Sequence, residues 1–509
     1  MISKNNFFVK ALPFFVFIFI AVGLLIRNLQ FAHIPFFDWD EAMYSQIATE
    51  LLKNKTLITT FNGHLWFDKP PFSHGLLAGI FLLFGRSEFF ARLLFGFFGV
   101  GLIVMMYFLS KQILQRVFPT QLKKMTTLQK QCAYLLPVLV LASSTSFIER
   151  SSLINTDIIV AAAWIGYFLF RENFIIKSLF LLLGVFSKSV FGFYPLLIEL
   201  FAIRKKDITL NNLLKVVVLI AIASFWYIYN YIQFGNTFVQ AHFFDQVLKR
   251  IVVPIELHFG GKFYYFKYLW NYLGVLNLLF IPAYLYIISR VVKLILQKRF
   301  RITETDAWWH YLVLLSGLPF FAFLILVKTK LYWYLMILIP LLCLPLTYLF
   351  ARLKNKILQY FLFLVIAGFF LFHFIPETYG LHLTNLRPSN KVALAQCLSN
   401  KPGKTIAFLT DEQEQKNRNF LEAAHYDTTA SFYYGGAPAF VYYAQKPVEF
   451  FYDLNQFLSS FKKFDIVVIP AQSLEQIDQL KQNEALTVKI QQARTNGFCE
   501  TKEWISFAN

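Results

Sequence analysis

Three carboxylates fall within four positions in Phe37-Asp38-Trp39-Asp40-Glu41, and Tyr44 follows Asp40 at the spacing of one helical turn. Apolar residues at helical spacing behind them predict an amphipathic helix that starts at the acids, where negative charge suits the positive end of the helix. Carboxylates in that place have two kinds of work available. Asp38 or Asp40 can cap the helix, or an acid can take a proton from an attacking hydroxyl as a general base. The next motif, Phe67-Asp68-Lys69-Pro70-Pro71, sets a lysine in extended backbone stiffened by paired prolines. Further on stands Arg92. A lysine and an arginine of this kind either snorkel to lipid headgroups or bind a phosphate, and beside a carboxylate cluster they make a candidate site.

The elements that must position these residues are membrane helices. The 509 residues are 57% hydrophobic and 15% charged, with 61 Phe, a composition that does not suit a surface facing water. Apolar stretches recur from Phe14 to Phe374, long enough to cross a hydrocarbon core of about 30 Å. The alternating segments of a transmembrane β-barrel are absent. The run Ala11–Ile26 lacks a small-residue cleavage site before Arg27, which predicts a retained first span. Basic residues cluster at Lys4/Lys10, Lys111 to Lys130, Arg171/Lys177, Arg204 to Lys215, Arg290 to Arg301 and Arg352 to Lys356. Placing every cluster on the cytoplasmic side gives one consistent path.

That path has about eleven spans, near 12–30, 89–110, 132–149, 156–171, 178–188, 190–203, 215–232, 268–289, 308–327, 331–350 and 357–375. The division between the fifth and sixth rests on Ser187-Lys188, because a lysine at mid-membrane is costly and a tight reversal removes it from there. The segment 73–84 is expected to lie along the interface. The expected organisation is a membrane domain over residues 1–375, with outer loops about 31–88 and 233–267, followed by a soluble α/β domain over 376–509. Within that tail, Thr405 to Leu409 and Ile466 to Pro470 are expected as buried strands and Ser473 to Gln482 as a helix. The N-terminus then lies in the cytoplasm and the tail outside it.

The formal charge of +19 raises the question of nucleic acid. From Pro376 onward Lys+Arg number 13 against 14 Asp+Glu, leaving 35 against 15 in the membrane part. The excess therefore orients helices, and no nucleic-acid partner is expected. Of four cysteines, Cys397 and Cys499 lie in the tail, where an oxidising compartment would permit them to pair; the sequence leaves that open.

Taken in order, Asp40-Glu41 with Tyr44, Lys69-Pro70-Pro71, Ala91-Arg92-Leu93, Asp157, Ser187-Lys188 and Phe225-Trp226-Tyr227 before Phe234-Gly235 resemble the GT-C glycosyltransferases. Within them the chain is similar to bacterial lipid A aminoarabinose transferases and to protein O-mannosyltransferase-like enzymes. The resemblance extends over most of residues 1–375. It implies a multi-span transferase of hexose or pentose type in the bacterial inner membrane. Such an enzyme takes a sugar from a polyprenyl phosphate and transfers it, with inversion, to a lipid, glycan or protein acceptor on the periplasmic side.

On that resemblance Asp40, matching the first acid of the pair, is the expected base. Lys69, Arg92, Arg250 and Lys330 are candidates for the donor phosphate, whose charge grows as the sugar bond breaks. Glu41, Tyr44, Asp157, His258 and Tyr334 are candidates for sugar or acceptor contacts. Asp157 could pair with a basic site residue or orient the donor, and the structural alternatives are that Glu41 holds the loop, Asp157 caps its helix, and Tyr332, Trp333 and Tyr334 sit in the interfacial aromatic belt. The aminoarabinose transferases typically carry an arginine where Met43 stands, which weakens the link to lipid A in particular. No cofactor is expected. A metal is not required either: Asp68 and His258 could approach one another, but no compact His/Cys/carboxylate spacing supports one. The competing class is a transporter or flippase, which would place ionisable groups along a mid-bilayer pathway rather than near one surface.

Overall fold

The computed structural model describes residues 2–202, 208–254, 258–296, 306–380, 389–423, 437–473 and 498–508. Two compact units are present. One comprises Met1–Gln30, Phe89–Gln233 and Phe259–Leu383; the other comprises Phe31–Glu88, Phe234–His258 and Thr384–Asn509.

The first unit is helical. Eight helical stretches among the described residues are long and apolar enough to cross a membrane: Phe7–Gln30, Glu88–Val117, Phe174–Leu200, Leu210–Val252, Tyr264–Leu296, Ala307–Leu326, Tyr332–Arg352 and Lys356–Tyr379. The protein is a multi-pass membrane protein. The difference from eleven lies in particular places. Where spans 132–149 and 156–171 were expected, the helices Thr127–Ala142 and Asp157–Leu169 have 16 and 13 residues. At 1.5 Å per residue these reach only about 24 and 20 Å. Both are almost wholly buried by protein, so their apolar residues serve packing as much as lipid.

The stretch Phe174–Leu200 also merges two expected spans, but it folds back on itself. The Lys177 ammonium lies 2.8 Å from the Glu199 carboxylate across 22 positions, a separation that continuous helix would stretch to about 33 Å. The reversal occurs at Ser189, whose φ of 54° and ψ of −132° end the Phe174–Lys188 helix. Gly192 then seats directly on the preceding helix, where a Cβ would stand 2.1 Å from the Val185 amide nitrogen. Ser187-Lys188 thus sits at a turn, as expected, and the Lys188 ammonium is paired there with the Asp157 carboxylate.

The second unit contains two sheets. Strands β1 (Thr60–Phe61) and β2 (His64–Leu65) form an antiparallel hairpin across Asn62-Gly63. Both turn residues have positive φ, 53° and 81°, the combination that asparagine and glycine tolerate in two-residue hairpins. In the tail, β3 (Ile406–Leu409), β4 (Val448–Phe451), β5 (Ile466–Pro470) and β6 (Trp504–Ala508) make a four-stranded sheet in the order β4-β3-β5-β6. The first three strands are mutually parallel, and β6 runs antiparallel to β5. One side of the sheet buries Ala407, Leu409, Val467, Ile469, Ile505 and Phe507 against Phe457 and Phe461. The two expected strands are β3 and β5. The helix expected over 473–482 lies outside the described residues from 474 onward, as do the basic positions Arg204 to Lys206 and Arg301.

Cys397 and Cys499 are joined by a disulfide, with their Cα atoms 5.9 Å apart. The tail and the loop 31–88 interlock within this unit. Asn62 exchanges two hydrogen bonds with the backbone of Val448, at 2.6 and 3.2 Å. Arg86 donates to the Tyr442 carbonyl at 2.7 Å while its guanidinium lies 3.9 Å from the same residue's ring. Tyr443 accepts from the Phe36 amide and donates to Glu88.

Candidate active site

The three clustered acids Asp38, Asp40 and Glu41 have separate environments. Asp38 accepts a hydrogen bond at 2.8 Å from the amide of Ala439, in the first turn of the helix Pro438–Ala444, so it caps a helix of the tail. Burial pushes its carboxyl above the usual range, against that hydrogen bond and the charge of Lys391. Glu41 is buried and accepts from the Phe37 amide at 3.1 Å, closing the loop on itself. Asp40 is the first residue of the helix Asp40–Asn54 and is only partly buried. Among the described residues its carboxylate accepts no hydrogen bond. The residue before it, Trp39, has φ 67° and ψ −119°, a backbone region that costs a non-glycine residue roughly 1–3 kcal/mol. The loop therefore holds a strained residue directly before an acid whose carboxylate accepts no hydrogen bond among the described residues.

Lys69 reaches the same place from the other side of the loop. Its ammonium donates to the Tyr44 hydroxyl, lies 3.4 Å from the Asp68 carboxylate and stands 4.7 Å from the centre of the Tyr44 ring. Burial disfavours its charge, but Asp68, Tyr44 and Asp40 together outweigh burial and hold the ammonium protonated well above the usual lysine range. Burial, then the charge of Asp40, drives the Tyr44 hydroxyl well above the usual tyrosine range, so it stays neutral. Tyr44 is itself enclosed. Its ring meets His74 edge-on at 5.0 Å and Trp66 at 6.2 Å, while Trp66 and His74 meet at 5.1 Å. At 1% exposure Tyr44 offers a sugar no surface; it holds Lys69.

Sequence reasoning passed over His74 and Trp66. The available signal was an imidazole within the apolar run Phe72–Phe84, an ionisable group where lipid or core was expected. Burial, then the positive charge of Lys69, lowers His74 to about 3, so its ring is neutral. His242 was passed over too; its Nδ1 donates to the Phe67 carbonyl at 2.7 Å and braces the start of the Asp68-Lys69 segment.

The remaining candidates are distributed as follows. In the second unit, Arg250 donates through Nε to Gln246 at 3.1 Å, and His258 is partly buried. In the first unit, Arg92 is fully buried in the helix Glu88–Val117. Asp157, 2% exposed, bonds the ammonium of Lys188, which lies 4.6 Å from the centre of the Tyr334 ring. The structure thus brings together Asp157, Lys188 and Tyr334. Lys330 donates to the carbonyls of Leu324 and Ile325, at 2.9 and 2.7 Å, satisfying the end of the helix Gly317–Leu326. Burial and the neighbouring charge of Lys328 lower its pKa. Among the described residues no three His, Cys, Asp or Glu side chains are placed to hold a metal ion.

The fold matches solved structures of two membrane transferases. The crystal structure of ArnT from Cupriavidus metallidurans bound to undecaprenyl phosphate matches with a TM-score of 0.63 over 98% of both chains, at 14% identity. The archaeal oligosaccharyltransferase AglB from Archaeoglobus fulgidus, in complex with an inhibitory peptide and a dolichol-phosphate, matches with a TM-score of 0.54 at 14% identity. That match covers 91% of this chain and 70% of AglB. The fold is the GT-C fold. An uncharacterized protein of Aquifex aeolicus is 25% identical over 340 residues, 66% of this chain and 71% of that protein. No family model matches the sequence.

Proposed function

We propose that this chain is an inverting glycosyltransferase that moves a sugar from a polyprenyl phosphate to a hydroxyl-bearing acceptor outside the cytoplasm. The observation that carries this is the division of work in the first loop. Asp38 and Glu41 are committed to backbone amides, whereas Asp40 accepts no hydrogen bond among the described residues and acts electrostatically on Lys69 and Tyr44. Asp40 takes the proton of the acceptor hydroxyl as its oxygen bonds to the anomeric carbon. The bond from that carbon to the phosphate oxygen breaks on the opposite side, and polyprenyl phosphate leaves. Lys69, kept cationic by its neighbours, stabilises the charge that grows on the phosphate.

Two further facts support the reading. The ArnT and AglB structures of the same fold hold undecaprenyl phosphate and dolichol-phosphate, both polyprenyl phosphates. The disulfide Cys397–Cys499 belongs to an oxidising compartment, which supports a tail on the periplasmic side of a bacterial inner membrane. The test is product mass after incubating purified protein with a panel of polyprenyl-phosphate sugars and an acceptor. An added hexose, pentose or amino sugar identifies donor and acceptor together, and Asp40→Asn should slow transfer by roughly 10²–10⁴-fold. Full transfer to a hydroxyl by the Asn variant would remove Asp40 from the role of base.

A further inference from the structure

Three short elements of the first unit bring one ion pair and a group of aromatic rings together. The helix Thr145–Arg150 ends in Glu149-Arg150, whose side chains pair at 2.9 Å with exposures of 24% and 8%. The Arg150 guanidinium lies 5.8 Å from the ring centre of Tyr332 and 5.3 Å from that of Trp333. Tyr268, from the helix Tyr264–Leu273, stacks on Tyr332 at 5.2 Å with the planes 15° apart. Tyr332 and Trp333 meet edge to face at 4.9 Å. Tyr268, Tyr332 and Trp333 all remain partly exposed.

An interfacial belt explains aromatic residues that each reach into the headgroup region singly. It does not explain rings stacked on one another and on a guanidinium that is already paired. The arrangement matches the two kinds of surface on a pyranose. The apolar C–H face of a sugar ring packs on an aromatic face, while its hydroxyls donate to a carboxylate and accept from a guanidinium. Because Glu149 and Arg150 neutralise each other, the cluster favours an uncharged polyol over a phosphate, which would need an uncompensated cation. The Lys188 charge nearby in sequence to the reversal is likewise committed to Asp157.

We propose that Glu149, Arg150, Tyr268, Tyr332 and Trp333 form a binding site for an uncharged pyranose ring. Assigning that ring to the transferred sugar rests on the transferase reading above; the site itself does not. The test uses the full chain in nanodiscs, with methyl glycosides of a neutral hexose, a neutral pentose and an amino sugar as probes. Tryptophan emission is recorded for the protein and for Trp333→Phe, so that the difference isolates Trp333. A neutral glycoside should produce a saturable change that disappears in Trp333→Phe. Its dissociation constant should rise about tenfold in Glu149→Gln, the loss of one hydrogen bond to a charged group. Thermal midpoints separate lost binding from lost folding.

The site is refuted by a flat Trp333 response to every glycoside, by a response to the amino sugar alone, or by wild-type affinity in a folded Glu149→Gln protein. As a second measurement, Trp333→Phe keeps a ring in place and should raise KM for the sugar-bearing donor more than it lowers kcat. Saturable binding in a protein that transfers no sugar would overturn the transferase reading and leave the site standing. Transfer with an unchanged KM in Trp333→Phe and Glu149→Gln would overturn the assignment of the ring to the transferred sugar and leave the transferase reading standing.

Discussion

Replacing Tyr44 by phenylalanine removes one oxygen atom from the place where Lys69 is held. The ring stays, and with it the edge contacts to His74 at 5.0 Å and Trp66 at 6.2 Å and the face presented to the ammonium at 4.7 Å. What disappears is the hydroxyl that accepts from Lys69. A hydrogen bond to a charged group contributes about 1.5–3 kcal/mol. Asp68 remains 3.4 Å from the ammonium and the Lys69 side chain is 18% exposed, so the lower end of that range applies. About 1.5 kcal/mol corresponds to roughly a tenfold change. Purified Tyr44→Phe should therefore show kcat/KM for a polyprenyl-phosphate sugar about tenfold below wild type, measured as product by mass spectrometry. Its thermal midpoint should be little changed. Lys69→Met, which removes the cation itself, should cost roughly 10²–10³-fold, the scale of a lost transition-state donor. Wild-type kinetics in Tyr44→Phe beside an inactive Lys69→Met would refute the holding role. Equal loss in both variants would mean that the hydroxyl takes part in the chemistry.

Other outcomes follow from the same geometry. Asp38→Ala should lower the stability of the second unit by about 0.5–2 kcal/mol through loss of a helix cap, read from thermal unfolding, with the donor KM unchanged. Reduction of Cys397–Cys499, or Cys397→Ser with Cys499→Ser, removes a cross-link spanning 102 positions and should destabilise the tail by up to about 4–5 kcal/mol, seen as faster limited proteolysis. His74 gives a pH dependence. Its unfolded pKa is about 6.5 and its folded value about 3, so below pH 6.5 the unfolded chain binds a proton that the folded chain refuses. Stability is thus intact above pH 6.5 and falls as pH drops toward 3, by about 2 kcal/mol at pH 5; His74→Phe should flatten that slope in a thermal-shift series. Trp39→Gly should relieve the positive φ, and a slower enzyme with an equal or higher thermal midpoint would mark Trp39 as a strained positioning residue.

The membrane part of the fold was legible in the sequence because hydrophobic length reports directly on bilayer thickness. The spans near 89–110, 308–327, 331–350 and 357–375 correspond closely to Glu88–Val117, Ala307–Leu326, Tyr332–Arg352 and Lys356–Tyr379. It was less legible where helices are buried by other helices. Thr127–Ala142 and Asp157–Leu169 are as apolar as lipid-facing spans but shorter, since protein neighbours set their length. In the tail, β3 and β5 read as continuous apolar runs because both faces are covered. β4 lies at the sheet edge with only its end residues Val448 and Phe451 buried, so its pattern was too short to separate from loop. Asn62-Gly63 was a readable hairpin signal that went unused. In the candidate site, Asp40, Tyr44 and Lys69 came from their order along the chain. The separate fates of Asp38 and Asp40 did not, because the amide that claims Asp38 lies far away in sequence and no local pattern encodes it.

The capping of Asp38 also has a consequence in time. Its partner, the Ala439 amide, is 401 residues further along the chain. At a synthesis rate of about 5–20 residues per second, the acidic loop is made roughly 20–80 s before the helix that secures it. During that interval the helices between must be made and inserted while the loop remains unlatched. Chains that stop before Pro438 carry every residue of the Asp40–Lys69 pair yet never acquire the latch. Completion of the tail thereby becomes the last step in securing the acidic loop, a checkpoint written into the order of the sequence.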